Sequence, residues 1–178
     1  AAEKGRGLET IYFVAHGSSF NAAVSVAGFF SKKAHIRAYA YTPGNFYTLG
    51  NAITQEDHES TLVVIISQTG TSTGALKILE YVSNLGFKTL GITGVCGSPI
   101  ADKADDVLYL LCGEENSNAK TKGYSATILL LLLLALSIGY HNGTLDSIEK
   151  QVCLNELECM IQKIPEVFEQ AVEFCKQT

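Results

Sequence analysis

Short apolar stretches alternate along this chain with longer stretches whose apolar residues recur at helical spacing. Five of the short stretches are predicted strands, at residues 10–15, 35–40, 61–67, 88–93 and 106–111. Three of them are almost continuously apolar, which is typical of a sheet covered on both faces. Helical patterns occupy residues 19–33 and 72–85, and a third long one follows Thr121. The alternation predicts an α/β fold: a doubly wound, three-layer sandwich in which helices flank a five-stranded parallel sheet.

The last part of the chain has a different pattern. Apolar residues between 157 and 172 fall at helical spacing and predict an amphipathic helix, with a kink or a break at Pro165. We therefore divide the chain into a domain at residues 1–140 and a helical segment at residues 141–178, which would form an interface or lead to another domain. The apolar run at residues 128–136 is shorter than the ~20 residues of a spanning helix. It predicts a helix buried on all sides, in a core or a subunit interface.

Composition narrows the class of protein. The 178 residues suit one globular domain, and a net charge of -5 without a basic run excludes a nucleic-acid footprint. Five cysteines without a CxxC spacing are expected to be free thiols in a reducing cytoplasm and not a metal site or a disulfide framework. The first residues do not show the charged-then-apolar pattern of a secretory leader, so we do not expect secretion. We expect a cytoplasmic protein with no membrane contact and no metal.

The loop after the third strand, "SQTGTSTGAL", holds an unusual number of small donors. Ser67, Gln68, Thr69 and Ser72 surround Gly70 just before a helix. A helix start has unpaired N–H groups and a partial positive charge, so this loop predicts an anion site, with phosphate as the expected anion. Helix capping alone would need only one of the hydroxyls. The loop lacks both the GK[ST] of a Walker loop and the GxGxxG of a dinucleotide fold, so no nucleotide cofactor is expected.

Two other loops should lie at the same edge of the sheet, where open parallel sheets bind ligands. "HGSSFNAA" follows the first strand and offers hydroxyls at the start of a helix, although Ser19 could simply be its N-cap. "GEENSNAKTKGYSAT" brings Lys120 and Lys122 beside Thr121, where they could offset a dianion or could simply be solvated.

Together these three loops resemble a known family, the sugar isomerase (SIS) domain. "SQTGTSTGAL" resembles its S-x-S-G-x-T loop, "IYFVAHGSSFNAA" is similar to its first strand and loop, and "GEENSNAKTKGYSAT" is similar to its G-P-E-x-x-x-A-S-T-K segment. The chain looks most like the first SIS copy of glucosamine-fructose-6-phosphate amidotransferases and like the fructosamine- or fructoselysine-6-phosphate deglycases. The resemblance implies a flavodoxin-like sheet and a sugar-phosphate ligand, either a hexose or a fructosamine 6-phosphate.

The resemblance also implies roles for individual residues. The sugar phosphate would be held by Ser67, Gln68, Thr69 and Ser72. The sugar would be lined by Gly17, Ser18, Ser19, Ala119, Thr121 and Lys122. The chain departs from the family pattern at His16, where relatives often have Cys, and at Lys120, where they have Ser. These departures leave the identity of the sugar open.

Moving a carbonyl between C1 and C2 of a sugar needs a base and an acid. Glu115 and His16 lie in suitable loops and are weak candidates, because the pattern favours an ordinary solvated loop acid for Glu115 and a packing or hydrogen-bonded strand-end residue for His16. In the proteins that the chain resembles, the base and the ring-opening histidine come from a second SIS copy or a neighbouring chain. We therefore expect an isomerase or deglycase domain that acts with a second copy or as a homo-oligomer. A non-catalytic phosphosugar sensor is the main alternative, and a nucleotide-binding protein that takes FMN or NAD is a third.

Overall fold

Strands and helices alternate along the chain as the apolar pattern predicts. The computed structural model describes residues 7–117 and 120–177, without the side chain of Asn51. In chain order the elements are β1 (Thr10–Ala15), α1 (Gly17–Ala34), β2 (Arg37–Tyr41), α2 (Pro43–Tyr47), a 3-10 turn (Gly50–Gln55), β3 (Thr61–Ile66), α3 (Thr73–Asn84), β4 (Lys88–Thr93), α4 (Pro99–Lys103), β5 (Asp106–Tyr109), α5 (Lys122–His141) and α6 (Ser147–Gln177).

The five strands form one parallel sheet in the order β2-β1-β3-β4-β5. β1 lies between β2 and β3, so that Thr10 pairs with Arg37 on one side and with Thr61 on the other. From β1 the chain crosses outward to β2, and it then returns past β1 to build the remaining strands in the opposite direction. The sheet therefore has its topological switch point between β1 and β3.

Side chains of each strand alternate between two apolar cores, because successive residues of a strand point to opposite faces. Phe13 packs on one face with Phe30 of α1 and Leu131 of α5. Ile65 packs on the other face with Leu79 of α3. Helices α1 and α5 thus cover one face and α2, α3 and α4 the other, which confirms the predicted three-layer α/β fold.

The element bounds differ from the sequence prediction by a few residues. β2 begins two residues later than expected, because His35 ends α1 in a left-handed conformation with φ of 53°. Gly86 follows α3 with φ of 88°, which confirms the predicted helix end. The short helices α2 and α4 were not predicted. Both have Pro at the first helical turn, but five residues are too few to show a helical period.

α5 is covered on one face only. Leu131, Ala135 and Leu136 are fully buried, whereas Leu133 on the opposite face is 38% exposed. The core of this chain alone therefore does not bury α5 on all sides, and burial of its outer face in a subunit interface stays a prediction. By length and composition alone α5 could cross a membrane, with a mean hydropathy of 1.9 over 18 residues, but a core helix of a soluble protein passes the same test. Its extensive packing on α1 and the sheet favours a core helix.

α6 is one continuous helix of 31 residues, with Pro165 inside it. Of the predicted kink or break at Pro165, the break is therefore wrong, and the kink stays a prediction. Proline removes the N–H that would bond the carbonyl of Ile161. Because this part of α6 is exposed, water can satisfy that carbonyl instead.

Candidate functional site

Three polar loops meet at the carboxyl edge of the sheet. The first loop follows β1, the second follows β3, and the third follows β5 and leads into α5. β1 and β3 are neighbours at the switch point, and α1 and α3 leave from them towards opposite faces. Open parallel sheets bind ligands in the crevice that forms there. The fold therefore places the first two loops on either side of such a crevice.

The second loop makes a tight turn at Gly70 against the loop that follows β4. Gly70 has φ of 66°, its N–H donates to the carbonyl of Ser67 at 3.0 Å, and its carbonyl accepts from the N–H of Ile100 at 3.1 Å. A Cβ on Gly70 would lie 2.0 Å from Oγ of Ser98. Only glycine fits both this backbone conformation and this close approach. The donor-rich loop is thus braced from behind by the β4 loop.

The hydroxyl groups of the second loop are not used to cap α3. Ser72 is the N-cap residue, yet its side chain makes no capping hydrogen bond. The hydroxyls of Thr69 and Thr71 lie 2.9 Å apart and pair with each other. The simple alternative, that this loop exists to cap a helix, therefore does not account for it. The first turn of α3 keeps its partial positive charge without a side-chain acceptor at the N-cap.

Gln68 connects the second loop to α5. A Cβ on Gly123 would lie 2.4 Å from Nε2 of Gln68, so the Gln68 amide rests against the first turn of α5. The carbonyl of Gln68 accepts from the N–H of Gly94 at 2.9 Å. These contacts orient the Gln68 side chain towards the third loop.

The first loop comes close to the start of α3. His16 is exposed, and its Nε2 atom lies 2.9 Å from the position that a Cβ on Gly74 would take. α1 begins at Gly17, whose φ is 54°, so Ser18 and Ser19 belong to its first turn. The alternative that Ser19 is the N-cap is therefore wrong, because His16 holds that position.

The third loop is folded around the carboxylate of Glu115. Oε1 accepts from the N–H of Thr121 at 2.8 Å, its hydroxyl at 2.9 Å and the N–H of Lys122 at 3.2 Å, while Oε2 accepts from the N–H of Gly123 at 3.0 Å. These bonds, chiefly that from the Thr121 backbone, lower the pKa of Glu115 to about 2. A carboxylate with so low a pKa is a poor proton acceptor near neutral pH. The geometry favours a structural role for Glu115 over that of a catalytic base.

The lysines of the third loop point back onto it. Nζ of Lys120 donates to the backbone carbonyl of Glu115. Nζ of Lys122 lies 3.8 Å from the position of a Cβ on Gly113. Ala119, which the family resemblance implies as a sugar contact, lies outside the described residues.

A cavity of about 650 Å³ separates the second loop from the third. Gln68 and Thr69 line one side, residues 113–117 with Lys120 line the other, and residues 94–96 of the β4 loop close it. Ser67, Ser72 and the first loop are not part of its wall. The structure therefore brings together half of the predicted phosphate set with the third loop, and the first loop stands beside α3. Sequence reasoning missed the β4 loop, although the glycine-rich "TGVCGSP" after a strand was a signal for it.

A metal centre finds no support in the described ranges, 7–117 and 120–177. Within them no three His, Cys, Asp or Glu side chains are grouped so that they could hold an ion. The five cysteines are free thiols, and Cys96 is exposed in the β4 loop. The side chains at the cavity that can donate are hydroxyls, amides and the ammonium of Lys120, which suit a polar organic anion.

Comparison with known proteins agrees with this fold. The SIS domain model matches residues 7–137, so the chain belongs to the SIS domain family. The isomerizing glutamine–fructose-6-phosphate aminotransferase of Fusobacterium nucleatum is 30% identical over 157 residues, and that of Clostridium tetani is 31% identical over 166 residues. These matches cover 88% and 93% of this chain. They confirm the predicted relationship to sugar-phosphate isomerases.

Solved structures give the same result. A candidate phosphosugar isomerase of Clostridium difficile superposes with a TM-score of 0.89 at 27% identity, over 96% of this chain and 48% of its own. The glucosamine-6-phosphate deaminase of Thermotoga maritima superposes with a TM-score of 0.62 at 28% identity, over 74% and 40%. This chain spans 25% and 26% of the two aminotransferases. It thus corresponds to about half of the solved relatives and a quarter of the curated ones.

Proposed function

We propose that this chain is a phosphosugar-binding domain of an aldose–ketose sugar-phosphate isomerase or of a fructosamine-6-phosphate deglycase. The observation that carries the proposal is the start of α3, where a loop of hydroxyls surrounds a helix N-terminus without capping it. The names of the relatives point to the same ligand class, because they specify fructose 6-phosphate and glucosamine 6-phosphate. A hexose 6-phosphate fits both observations.

The phosphate would lie over the first turn of α3. Its oxygens would accept from the hydroxyls of Ser67, Thr69 and Ser72, from the amide of Gln68, and from the backbone N–H groups at the helix start. None of these groups carries a formal charge, so the helix dipole would supply the positive potential. His16, beside Gly74, is the nearby titratable group of the first loop.

The sugar would extend from the phosphate towards the first and third loops. Gly17, Ser18 and Ser19 lie at the start of α1, directly after His16. Thr121 and Lys122 lie at the start of α5, and Ala119 belongs to the same set by resemblance. A cavity of about 650 Å³ is large enough for a hexose phosphate, since ligand pockets usually measure about 300–1,000 Å³.

The chemistry would need a partner. The Glu115 carboxylate is held by four hydrogen bonds, which leaves His16 of the first loop as the candidate for proton transfer. We propose that the base comes from a second SIS copy, either in a longer chain or in another subunit. The length of a relative supports a second copy, because the C. difficile structure is about twice as long as the segment it shares with this chain.

α5 and α6 would supply the interface for that second copy. α6 packs on the end of α5 through Cys153, and Leu145 of the connection between the two helices joins Cys153 around Leu136. Further along, Met160, Ile161 and Ile164 of α6 face α5 across an open apolar groove of about 360 Å³. Phe168 remains 67% exposed. Met160, Ile164 and Val167 are also more than half exposed, and contiguous exposed apolar side chains of this kind mark interaction sites.

The spacing of α6 supports a helix-pairing role. Its apolar positions recur at intervals of three and four over more than two heptads: Leu157, Met160, Ile164, Val167, Ala171 and Phe174. At 1.5 Å per residue α6 is about 46 Å long and α5 about 30 Å, so α6 cannot be covered by α5 along its whole length. In this proposal residues 1–140 bind the ligand, residues 141–178 hold the second copy, and the protein is cytoplasmic.

Calorimetry tests the ligand site. In the variant Ser67→Ala with Thr69→Ala, each lost hydrogen bond to a dianion should cost roughly 1.5–3 kcal/mol, so affinity for fructose 6-phosphate should fall steeply. Weak binding of neutral fructose should hardly change. Ser83→Ala, an exposed hydroxyl at the other end of α3, is the matched control. An unchanged dissociation constant in the double variant would contradict the phosphate assignment.

Turnover tests the enzyme. Loss of fructose 6-phosphate or of a fructosamine 6-phosphate should be measured with this chain alone and with the chain joined to a second SIS domain. Activity in the joined protein supports an isomerase or a deglycase. Tight binding of the sugar phosphate without turnover in both forms would favour a non-catalytic phosphosugar sensor.

A further inference from the structure

We propose that Glu115 is a positioning residue: its carboxylate is an internal anion that ties the third loop to the first turn of α5 and so shapes the cavity wall opposite Gln68 and Thr69. The inference rests on the proposed sugar-phosphate site, which it deepens. It assigns to Glu115 a task that does not involve proton transfer.

The carboxylate takes the place that an external anion would occupy at a helix start. α5 begins after Thr121, whose own side chain makes no capping bond. Without Glu115 the N–H groups of Lys122 and Gly123 would be unpaired, as they are at any uncapped helix start. Glu115 accepts from both, and its two oxygens share the four donors three to one. This anion site is therefore filled from within the chain.

The two helix starts at the cavity are thus used differently. At α5 a side-chain carboxylate pairs with the backbone N–H groups. At α3 the N-cap residue Ser72 makes no side-chain bond to the helix. A ligand phosphate would compete with Glu115 at α5 but would meet no such competitor at α3. Glu115 consequently directs the anion to α3.

Glu115 also acts on Gln68 through Gly123. The Gln68 amide rests on Gly123, and the N–H of Gly123 donates to Oε2 of Glu115 at 3.0 Å. Nζ of Lys120 donates to the backbone carbonyl of Glu115, which holds the two ends of the third loop together by a second contact. If the carboxylate is removed, the turn that supports Gln68 is released along with the loop. The site then loses a wall and the orientation of a phosphate donor together.

The experiment compares variants of the whole chain in calorimetry with fructose 6-phosphate. Glu115→Ala should weaken binding roughly fivefold to tenfold, the range expected when a helix cap is lost. Formate should restore most of the affinity of this variant, because a small carboxylate can refill the same donors. Formate should not improve the native chain. Glu59→Gln, an exposed acid before β3, is the control for loss of charge.

Glu115→Gln gives a second, conservative comparison. Its Oε1 can still accept from Thr121 and Lys122, but its amide nitrogen would face the N–H of Gly123, donor against donor. Binding should therefore lie between that of the native chain and that of Glu115→Ala. Native affinity in Glu115→Ala, or a loss that formate leaves unchanged, overturns the positioning role.

Hydrogen exchange separates this inference from the proposed function. The amide protons of Lys122 and Gly123 should exchange faster in Glu115→Ala, and formate should slow them again, whether or not a sugar phosphate is present. If the native chain does not bind fructose 6-phosphate but the Lys122 and Gly123 amides exchange faster in Glu115→Ala, the proposed ligand is wrong and the internal anion is supported. If exchange is the same in both proteins, the internal anion is wrong.

Discussion

Replacing Gly70 by alanine should loosen the loop proposed to bind phosphate and destabilise the domain. The left-handed conformation of Gly70, with φ of 66°, costs a residue with a Cβ roughly 1–2 kcal/mol. The new Cβ would also lie 2.0 Å from Oγ and 2.3 Å from Cβ of Ser98, and 2.8 Å from Oγ1 of Thr93. Ser98 is only 3% exposed and cannot simply move aside. Overpacking of this kind adds about 1–3 kcal/mol, for a total of about 2–5 kcal/mol.

A matched control isolates the steric part. Gly97 has φ of 65°, and a Cβ there would meet nothing within 4 Å. Gly97→Ala should therefore cost only the backbone term, about 1–2 kcal/mol. Adding Ser98→Gly to Gly70→Ala removes the nearest obstacle and should recover much of the steric loss.

Urea unfolding followed by circular dichroism measures all four proteins, and their m-values should agree if unfolding stays two-state. Equal stability of Gly70→Ala and Gly97→Ala would contradict the expected clash with Ser98. A double variant no more stable than Gly70→Ala alone would contradict it as well. In either case the β4 loop does not brace the second loop.

Three further predictions follow from the site and the helices. Gly123→Ala should push the Gln68 amide aside and weaken fructose 6-phosphate binding in calorimetry. It should change the free energy of unfolding by less than about 1 kcal/mol, because only the end of a flexible side chain is displaced. A binding constant equal to that of the native chain would refute this. In an NMR titration the carboxyl of Glu115 should show a pKa of about 2 in place of 4.5. The stabilisation by its hydrogen bonds is therefore fully present above pH 4.5 and is lost as the pH falls towards 2. A pKa above 4 would contradict the capping geometry. Phe168→Asp should lower the oligomeric state in sedimentation, whereas Gln162→Asp should not; an equal effect of both would exclude the α6 face as an interface.

The sheet could be predicted from sequence because its strands are read locally. "TLVVII" is a continuous apolar run bounded by polar residues, and β3 occupies the same span, Thr61–Ile66. The one-sided burial of α5 could not be found in this way. Its run of leucines is apolar in every direction, so the sequence holds no information on which side the sheet would cover.

The grouping of the three loops at one edge of the sheet was predictable, but their contacts with one another were not. The rule that ligands bind at the carboxyl edge of a parallel sheet located all three loops. The bonds from Glu115 to residues 121–123 depend on how the intervening loop folds, and no spacing rule describes them. Likewise, the contact between Gly70 and Ser98 joins two loops 28 residues apart and arises only when β3 and β4 pair.

The meeting of His16, Gln68 and Glu115 at one edge has a consequence for how the protein would respond to a guest molecule. Each is about fifty positions from the next along the chain, and they belong to three separate strand–helix connections. No short peptide cut from the chain would contain enough of the pocket to bind. A compound that contacted all three would connect the three loops, so its addition should raise the melting temperature of the whole domain and not only stabilise the nearest loop.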